Sequence, residues 1–319
     1  KIVFSGDVGN KSRPILNNPK TIDETDYLVV ESTYGDRLHE KAADTLPILV
    51  SCIQRTLDRG GNVVIPSFAV GRTQEILYHL RKIKTEGLVK GHDGFPVYVD
   101  SPLANEATAV FLQADPSAFD EEIKEMFRQG INPLVFPDLK MSVSSEESKA
   151  INFDETPKII ISASGMCEAG RIRHHLKHNL WRKDASVIFV GYQAEGSLGR
   201  RLLEGETDVV VMGDGLTVKA TIRKIPALSA HADADELVAW MKGHVGTIDR
   251  GTAKLPDAPA KGVDVGFDVT SDVPAGAMNL NVDGRQPVSP LQGFGQCWQK
   301  TFKVRLSGVK QSPEDAMRT

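Results

Sequence analysis

Apolar and polar positions along residues 27–205 repeat one order: strand, turn, helix. "YLVVES" (27–32) is a continuous apolar run closed by polar residues, as in a strand buried on both faces. From 44 to 58, Leu46, Leu49, Ile53 and Leu57 recur at helical spacing. "GGNVVIPSFAVGRTQEILYHLRKI" (60–83) then reads strand, turn, helix. So do "FPVYVDSPLANEATAVFL" (95–112), "PKIIISASGMCEAGRIRHHLKHNL" (157–180) and "ASVIFVGYQAEGSLGRRLLEG" (185–205). Four βα units in succession predict an α/β fold with a parallel sheet and helices on both faces. The segment 115–150 reads as helical, then turn-rich. After "TVKATIRKIPALSAHADADELVAWMKG" (217–243) the character changes. Residues 244–293 are rich in Gly, Pro, Asp and Val without helical period, and "GFGQCWQKTFKVRLSG" (293–308) alternates like a half-buried strand. At the other end "KIVF" reads as a strand and Gly6-Asp7 as its close. No internal repeat of fixed period is present.

Composition narrows the class. Of 319 residues, 40% are hydrophobic and 25% charged, which suits a globular protein with room for two domains. No apolar run approaches the ~18 residues of a membrane span, and no basic, apolar leader is visible. Cys52, Cys167 and Cys297 are too few and too scattered for a disulfide framework or a Cys-based zinc site, so a reducing, cytoplasmic setting is expected. The formal net charge of −4 argues against indiscriminate nucleic-acid binding, so any such contact must be a local basic surface.

The four βα turns share a design. "PSFAVGR" (66–72), "DSPLA" (100–104), "SASGMCEAGR" (162–171) and "GYQAEGSLGR" (191–200) are all small and polar. In a parallel sheet such turns lie together at the carboxyl edge, where ligands bind, and the helix N-termini that follow offer free N–H groups to phosphate. Three turns close on Gly-Arg, and an arginine there can fork onto a phosphate. The candidate substrate-binding residues are Ser67, Arg72, Ser101, Ser164, Arg171, Gly196, Ser197 and Arg200. The plainer account is that Gly and Ser make tight turns and the arginines are solvated. No turn matches a P-loop or a clean dinucleotide fingerprint. The segment "RIRHHLKHNLWRK" (171–183) carries five Lys or Arg and three His with no acid. On a helix Arg171, His174, His175 and His178 share a side, giving a phosphate-tracking face. His174 and His178, at i and i+4, are the geometry for a metal, though no acid stands beside them.

Three titratable residues stand where a strand meets a loop: Asp7 in "SGDVG", Glu31 in "VVESTYGDR" and His231 in "LSAHADADEL". Singly each has a bland explanation: a turn carboxylate, a satisfied buried acid, and a first-turn histidine behind an N-cap Ser229. Together they make a constellation of two carboxylates and an imidazole.

"FSGDVG", "VVESTYGDR", "PSFAVGRTQE", "DSPLA", "SASGMCEAGRIRHHLKHNL", "GYQAEGSLGRRLL" and "SAHADADEL", in this order, resemble the β-CASP branch of the metallo-β-lactamase superfamily, RNA-cutting nucleases of the mRNA 3′-end processing type. The resemblance covers about residues 1–243. It implies a remnant of the metallo-β-lactamase αββα domain at 1–35, a β-CASP domain at 36–228, a return to the first domain at 229–243, and an unassigned, divergent tail at 244–319. It also implies that Asp7 bridges two zinc ions, that Glu31 is the buried acid of the first β-CASP motif, and that His231 is a histidine close to the scissile phosphate. A further metal-binding histidine is expected where this chain reads "DRGTAK" (249–254), and His244 does not take its place. The family's "HxHxDH" cluster precedes "SGD" and is not in this sequence, so the reading is of a chain truncated at its N-terminus.

The implied activity is metal-dependent hydrolysis of phosphodiesters in single-stranded RNA, with two zinc ions holding a shared hydroxide. RNA rather than DNA comes from the resemblance alone. Because one carboxylate holds zinc poorly, this chain is expected to bind little zinc and to be inactive by itself. The alternatives are a non-catalytic RNA-binding scaffold of the same family and a small-molecule phosphate-binding domain. Homodimer formation is left open, and no membrane partner is expected.

Overall fold

The computed structural model describes residues 2–11, 13–21, 27–36, 38–39, 45–225 and 230–242, with the backbone of 301–305; the side chains of Ile2, Tyr27 and Lys242 are excepted. The chain divides into two compact units. One comprises residues 1–9, 19–38 and 231–319, the other residues 10–18 and 39–230.

The second unit is built on a six-stranded sheet. Its strands are β3 (Val63–Pro66), β4 (Val97–Val99), β5 (Leu139–Met141), β6 (Ile159–Ser162), β7 (Ser186–Phe189) and β10 (Thr221–Lys224). They lie in the order β10-β7-β3-β6-β4-β5, and every pair is parallel. The central strands β3, β6 and β7 are buried at every position, which is why they read as unbroken apolar runs. Successive side chains point to opposite faces. Val63 and Ile65 join one core with Leu49, Ile53, Ile76, Leu77 and Leu80, whereas Val64, Val187 and Phe189 join another with Ile172, Leu176, Leu198 and Leu202. The first core is roofed by α1 (Thr45–Leu57) and α2 (Arg72–Thr85), the second by α6 (Ile172–Asn179) and α7 (Leu198–Leu203). Each fully buried Leu or Ile contributes about 1.5–3 kcal/mol.

Helix starts follow local chemistry. Ser101 accepts from Ala104 N–H and is followed by Pro102 at the first position of α3 (Pro102–Gln113). Asp120 caps α4 (Glu121–Arg128), and Ser197 caps α7 by accepting from Arg200 N–H. The segment 115–150 holds more than the helix and turns expected of it. Beyond α4 it contains β5 and the start of α5 (Ser145–Phe153). β5 is a short edge strand with largely exposed side chains, so it leaves no apolar pattern. α5 begins with a capping box in which Ser144 and Glu147 satisfy each other's backbone N–H groups. A hairpin of β8 (Asp208–Val211) and β9 (Asp214–Thr217) precedes β10.

In the first unit β1 (Ile2–Phe4) pairs parallel with β2 (Tyr27–Glu31), and β11 (Thr301–Arg305) pairs antiparallel on the other edge of β2. β11 falls within the stretch 293–308 that reads as a strand; the rest of that stretch lies outside the described residues. α8 (Ala234–Lys242) supplies Leu237 and Trp240 to a small core with Val8, Leu28, Val30 and Ala232. Among the described residues no helix is long and apolar enough to cross a membrane.

Candidate functional site

Asp7, Glu31 and His231 all belong to the first unit, and it brings them together. Asp7 follows β1, Glu31 ends β2, and His231 is held by a bridge to Gly9 and by the Ala232 N–H donating to Val8 O at 2.8 Å. His231 precedes the helix rather than lying in its first turn. α8 is capped by Asp233, which accepts from Glu236 N–H at 2.9 Å while Glu236 accepts from Asp233 N–H at 3.1 Å. Ser229, the expected cap, is outside the described residues.

Glu31 is the hub. Its Oε1 accepts from Val8 N–H. Its Oε2 accepts from Thr33 Oγ1 at 2.7 Å and faces His231 Nδ1 at 2.8 Å. With Val8 and Thr33 already donating to it, this buried carboxyl group accepts from the imidazole and fixes the ring, with Nδ1–H pointing to Glu31. Asp7 Oδ1 stands 4.0 Å from the same Nδ1, and its side chain is 59% exposed against 5% for Glu31. Tyr34 closes on the imidazole edge-on, with ring centroids 6.0 Å apart.

One donor from each of the three residues lies within 4.8 Å of the others, the one such cluster among the described residues. Carboxylate oxygen and imidazole nitrogen suit a divalent cation in kind. Three donors equal the count of a catalytic zinc, but two of them, Glu31 and His231 Nδ1, are turned to each other. Glu31 is engaged by Val8, Thr33 and His231, and His231 Nδ1 is engaged by Glu31, so Asp7 is the residue placed to hold a metal. His244 and residues 249–254 lie outside the described residues.

The four turns sit in the second unit. Strands β7, β3, β6 and β4 are neighbours and parallel, so the turns 191–200, 66–72, 162–171 and 100–104 stand side by side at one edge. Their polar side chains are more committed than the sequence suggests. Arg72 is 6% exposed and pairs with Glu75, which also pairs with Arg13. Arg171 donates through Nη1 to Asp100 Oδ1 and through Nη2 to Val143 O, both at 2.8 Å. Neither guanidinium stands open for a phosphate fork. Ser67 is buried and accepts from Thr73 Oγ1 at 3.1 Å. Ser101 and Ser197 serve as helix caps, and Ser164 Oγ accepts from Ala169 N–H at 3.3 Å. Gly196 has φ +78° with open space where a Cβ would stand, so its turn needs the backbone angle and not the room. Arg200 is the turn arginine on the surface, paired with Glu204 one helical turn on at 2.6 Å.

His175 departs from the expected basic face. It is fully buried, with Nε2 2.6 Å from Asp100 Oδ2 and Nδ1 2.8 Å from Asn152 Oδ1. Asp100, buried as well, also accepts from Ser148 Oγ at 2.6 Å. Burial pushes the Asp100 carboxyl up, but the bonds from His175, Ser148 and Arg171 outweigh it and hold the pKa at about 2. This network was missed because its members lie in separate motifs; the lone acid in "DSPLA" was the available signal. Elsewhere on that helix His178 is held below its usual value, first by partial burial and then by the neighbouring His175, Lys177 and His174.

Residues 73–202 match the family model described as the Beta-Casp domain, and residues 215–244 match the Zn-dependent metallo-hydrolase RNA specificity domain. The chain is 36% identical over 244 residues to Ribonuclease TTHA0252 of Thermus thermophilus, spanning 76% of this chain and 55% of the relative. It is 36% identical over 245 residues to an RNase J-like protein of Methanocaldococcus jannaschii, with the same coverage. Transcription termination factor FttA of Methanothermobacter thermautotrophicus is 33% identical over 255 residues, 76% of this chain and 38% of the relative. The chain thus spans about half or less of the length of these relatives. Ordered motifs, a parallel α/β sheet and both matched domains agree: the chain belongs to the β-CASP branch of the metallo-β-lactamase superfamily.

Proposed function

We propose that this chain serves metal-dependent hydrolysis of phosphodiesters in single-stranded RNA. The observation that carries the reading is the Glu31–His231 pair at 2.8 Å with Asp7 beside it. The names of the relatives, a ribonuclease and an RNase J-like protein among them, support RNA as the substrate class. Asp7 would hold a divalent metal at the exposed rim of the cluster. Such a metal, when bound, supplies Lewis acidity at a phosphoryl oxygen and lowers the pKa of water. The chain's own residues do the rest. Glu31 keeps the Nδ1 proton of His231 in place, which directs the Nε2 side of the ring to a phosphate or leaving oxygen. Among the turns of the second unit, Arg200 is the surface arginine, able to meet an RNA phosphate at the cost of one exposed ion pair.

With Asp7 as its main metal donor, this chain binds zinc weakly and cleaves RNA negligibly by itself. The engagement of Glu31 with His231 equally favours a second reading, a non-catalytic RNA-binding scaffold. Metal analysis of the purified chain should find less than one tightly held zinc per molecule; about two, the number a two-metal site takes, would overturn the weak-metal reading. Binding of a 5′-labelled RNA oligomer should be at least tenfold tighter than of a nucleoside monophosphate, and equal affinities would remove RNA as the substrate. In protein purified from its source, cleavage that disappears in His231→Ala supports the hydrolase. Binding with no cleavage supports the scaffold.

A further inference from the structure

α6 has an outward face that the reading above leaves unused. Ile172, His175, Leu176 and Asn179 turn inward. His174 is exposed, Lys177 and His178 are half-buried, and Trp181, just past the helix end, is 53% exposed. Positions 174, 178 and 181 follow helical spacing and share one side. Phe153, the last residue of α5, is 76% exposed and meets His178 edge-on, with ring centroids 6.0 Å apart. Two aromatic faces thus stand open to water beside a segment with five Lys or Arg and no acid. Of those cations, Arg171 is answered by Asp100, Arg182 by Asp184 and Lys177 by Asp214. The Lys177–Asp214 pair is about half exposed on both sides, the kind of ion pair a phosphate can replace. Arg173 is half-buried and Lys183 exposed.

The stripe has a direction. α6 begins where the turn 162–171 ends, at the carboxyl edge of the sheet, and Trp181 lies just ahead of Ser186, where β7 begins at the opposite edge. The stripe therefore runs from the turns across one face of the sheet.

We propose that Phe153, His174, Lys177, His178 and Trp181 form an accessory track for single-stranded RNA, continuous with the carboxyl-edge turns. This rests on the RNA reading above and adds to it a preferred substrate length. Bases stack on Trp181 and Phe153, which tolerates any sequence because every base has a π-face. Arg173, Lys177 and Lys183 answer the phosphates. A protein partner is the less favoured occupant, since the centres of protein interfaces are depleted of charge.

The test uses the full chain and two labelled oligouridylates, of about 5 and about 20 nucleotides, bracketing the site sizes of single-strand binders. The wild type binds the longer one more tightly. Phe153→Ala/Trp181→Ala weakens the longer one about tenfold or more, leaves the shorter one unchanged, and keeps the thermal midpoint, because both side chains are exposed. A 4-thiouridine oligomer cross-links to wild-type peptides containing Trp181 or Phe153, a readout that does not depend on the variant's folding. If the double variant binds both lengths like the wild type, the track is overturned and the RNA reading stands. Equal losses at both lengths, or cross-links only elsewhere, also overturn the track. If the wild type binds neither length, both readings fall. If RNA binding is unchanged while the variant loses self-association in sedimentation, the stripe is a protein-docking face and the track falls.

Discussion

His175 Nε2 stands 2.6 Å from Asp100 Oδ2, and neither side chain has exposed surface. Ser148 and Arg171 complete the set of donors around that carboxylate. Through it α5, the turn 100–104, the end of the turn 162–171 and α6 are tied at one point. The folded pKa of about 2 lies below the ordinary 3.8, so the carboxylate contributes stability that is fully present above about pH 4. That contribution fades as pH falls toward 2. The difference corresponds to about 2 kcal/mol. Denaturant unfolding followed between about pH 5 and pH 2 should show this loss in the wild type and a flatter profile in Asp100→Asn. Parallel profiles would show that Asp100 is not the titrating group.

Glu31 fixes the His231 tautomer, and Glu31→Gln tests that. A glutamine offers one acceptor oxygen where the carboxylate offers two, so Val8 N–H, Thr33 Oγ1 and His231 Nδ1 cannot all be satisfied. The expected cost is about 1–3 kcal/mol for the buried donor left over. Long-range nitrogen–proton spectra of the imidazole should show Nδ1 protonated in the wild type and a shift toward the Nε2–H form in the variant. An unchanged tautomer would assign the orientation of His231 to its backbone bridges instead.

The glycines of the turns separate into two kinds. At Gly170, φ is +78° and a Cβ would collide with the Ala163 carbonyl oxygen. At Gly196, φ is again +78° but nothing lies within 4 Å of the added carbon. Gly196→Ala should cost about 1–2 kcal/mol from the left-handed backbone alone. Gly170→Ala adds a backbone clash and should cost at least twice as much. Chemical unfolding of the two variants side by side checks the order; equal losses would mean that the turn around Ala163 relaxes freely.

The fold was legible because its strands β3, β6 and β7 are buried on both faces and its turns are short, so period and punctuation coincide. β5 and β9 were not, because their largely exposed side chains carry no apolar pattern, and β8 is a four-residue strand that buries only Val209 and Val211. Asp7, Glu31 and His231 stood out as titratable groups at strand ends. Asp100 stood in plain view within "DSPLA", yet its partners Ser148, Arg171 and His175 lie 48, 71 and 75 positions away. Sequence spacing cannot show which of several cations a buried acid will meet. The Arg72–Glu75 pair at i and i+3 was readable, but so was Arg200–Glu204 at i and i+4, and spacing does not show that only Arg72 turns inward.

That inward position sets Arg72 apart from Arg200, although both follow a glycine in a turn. Glu75 is 4% exposed and lies between Arg13 and Arg72; Arg13 Nε donates to its Oε1. Glu75→Ala removes a carboxylate shared by Arg13 and the buried Arg72 and should destabilise by about 3–5 kcal/mol. For a domain of this size that lowers the thermal midpoint by about 2–4 °C per kcal/mol. Arg200 pairs with an exposed Glu204 at i and i+4, and such solvent-screened pairs add little to stability. Arg200→Ala should therefore leave the thermal midpoint nearly unchanged. If Arg200 meets one phosphate, the same variant lowers the slope of log affinity against log salt for single-stranded RNA by about 0.7. A normal midpoint with a reduced slope is the signature of a residue that acts on RNA and not on the fold. An unchanged slope would leave Arg200 as a solvated helix residue and move the phosphate contact to another part of the edge.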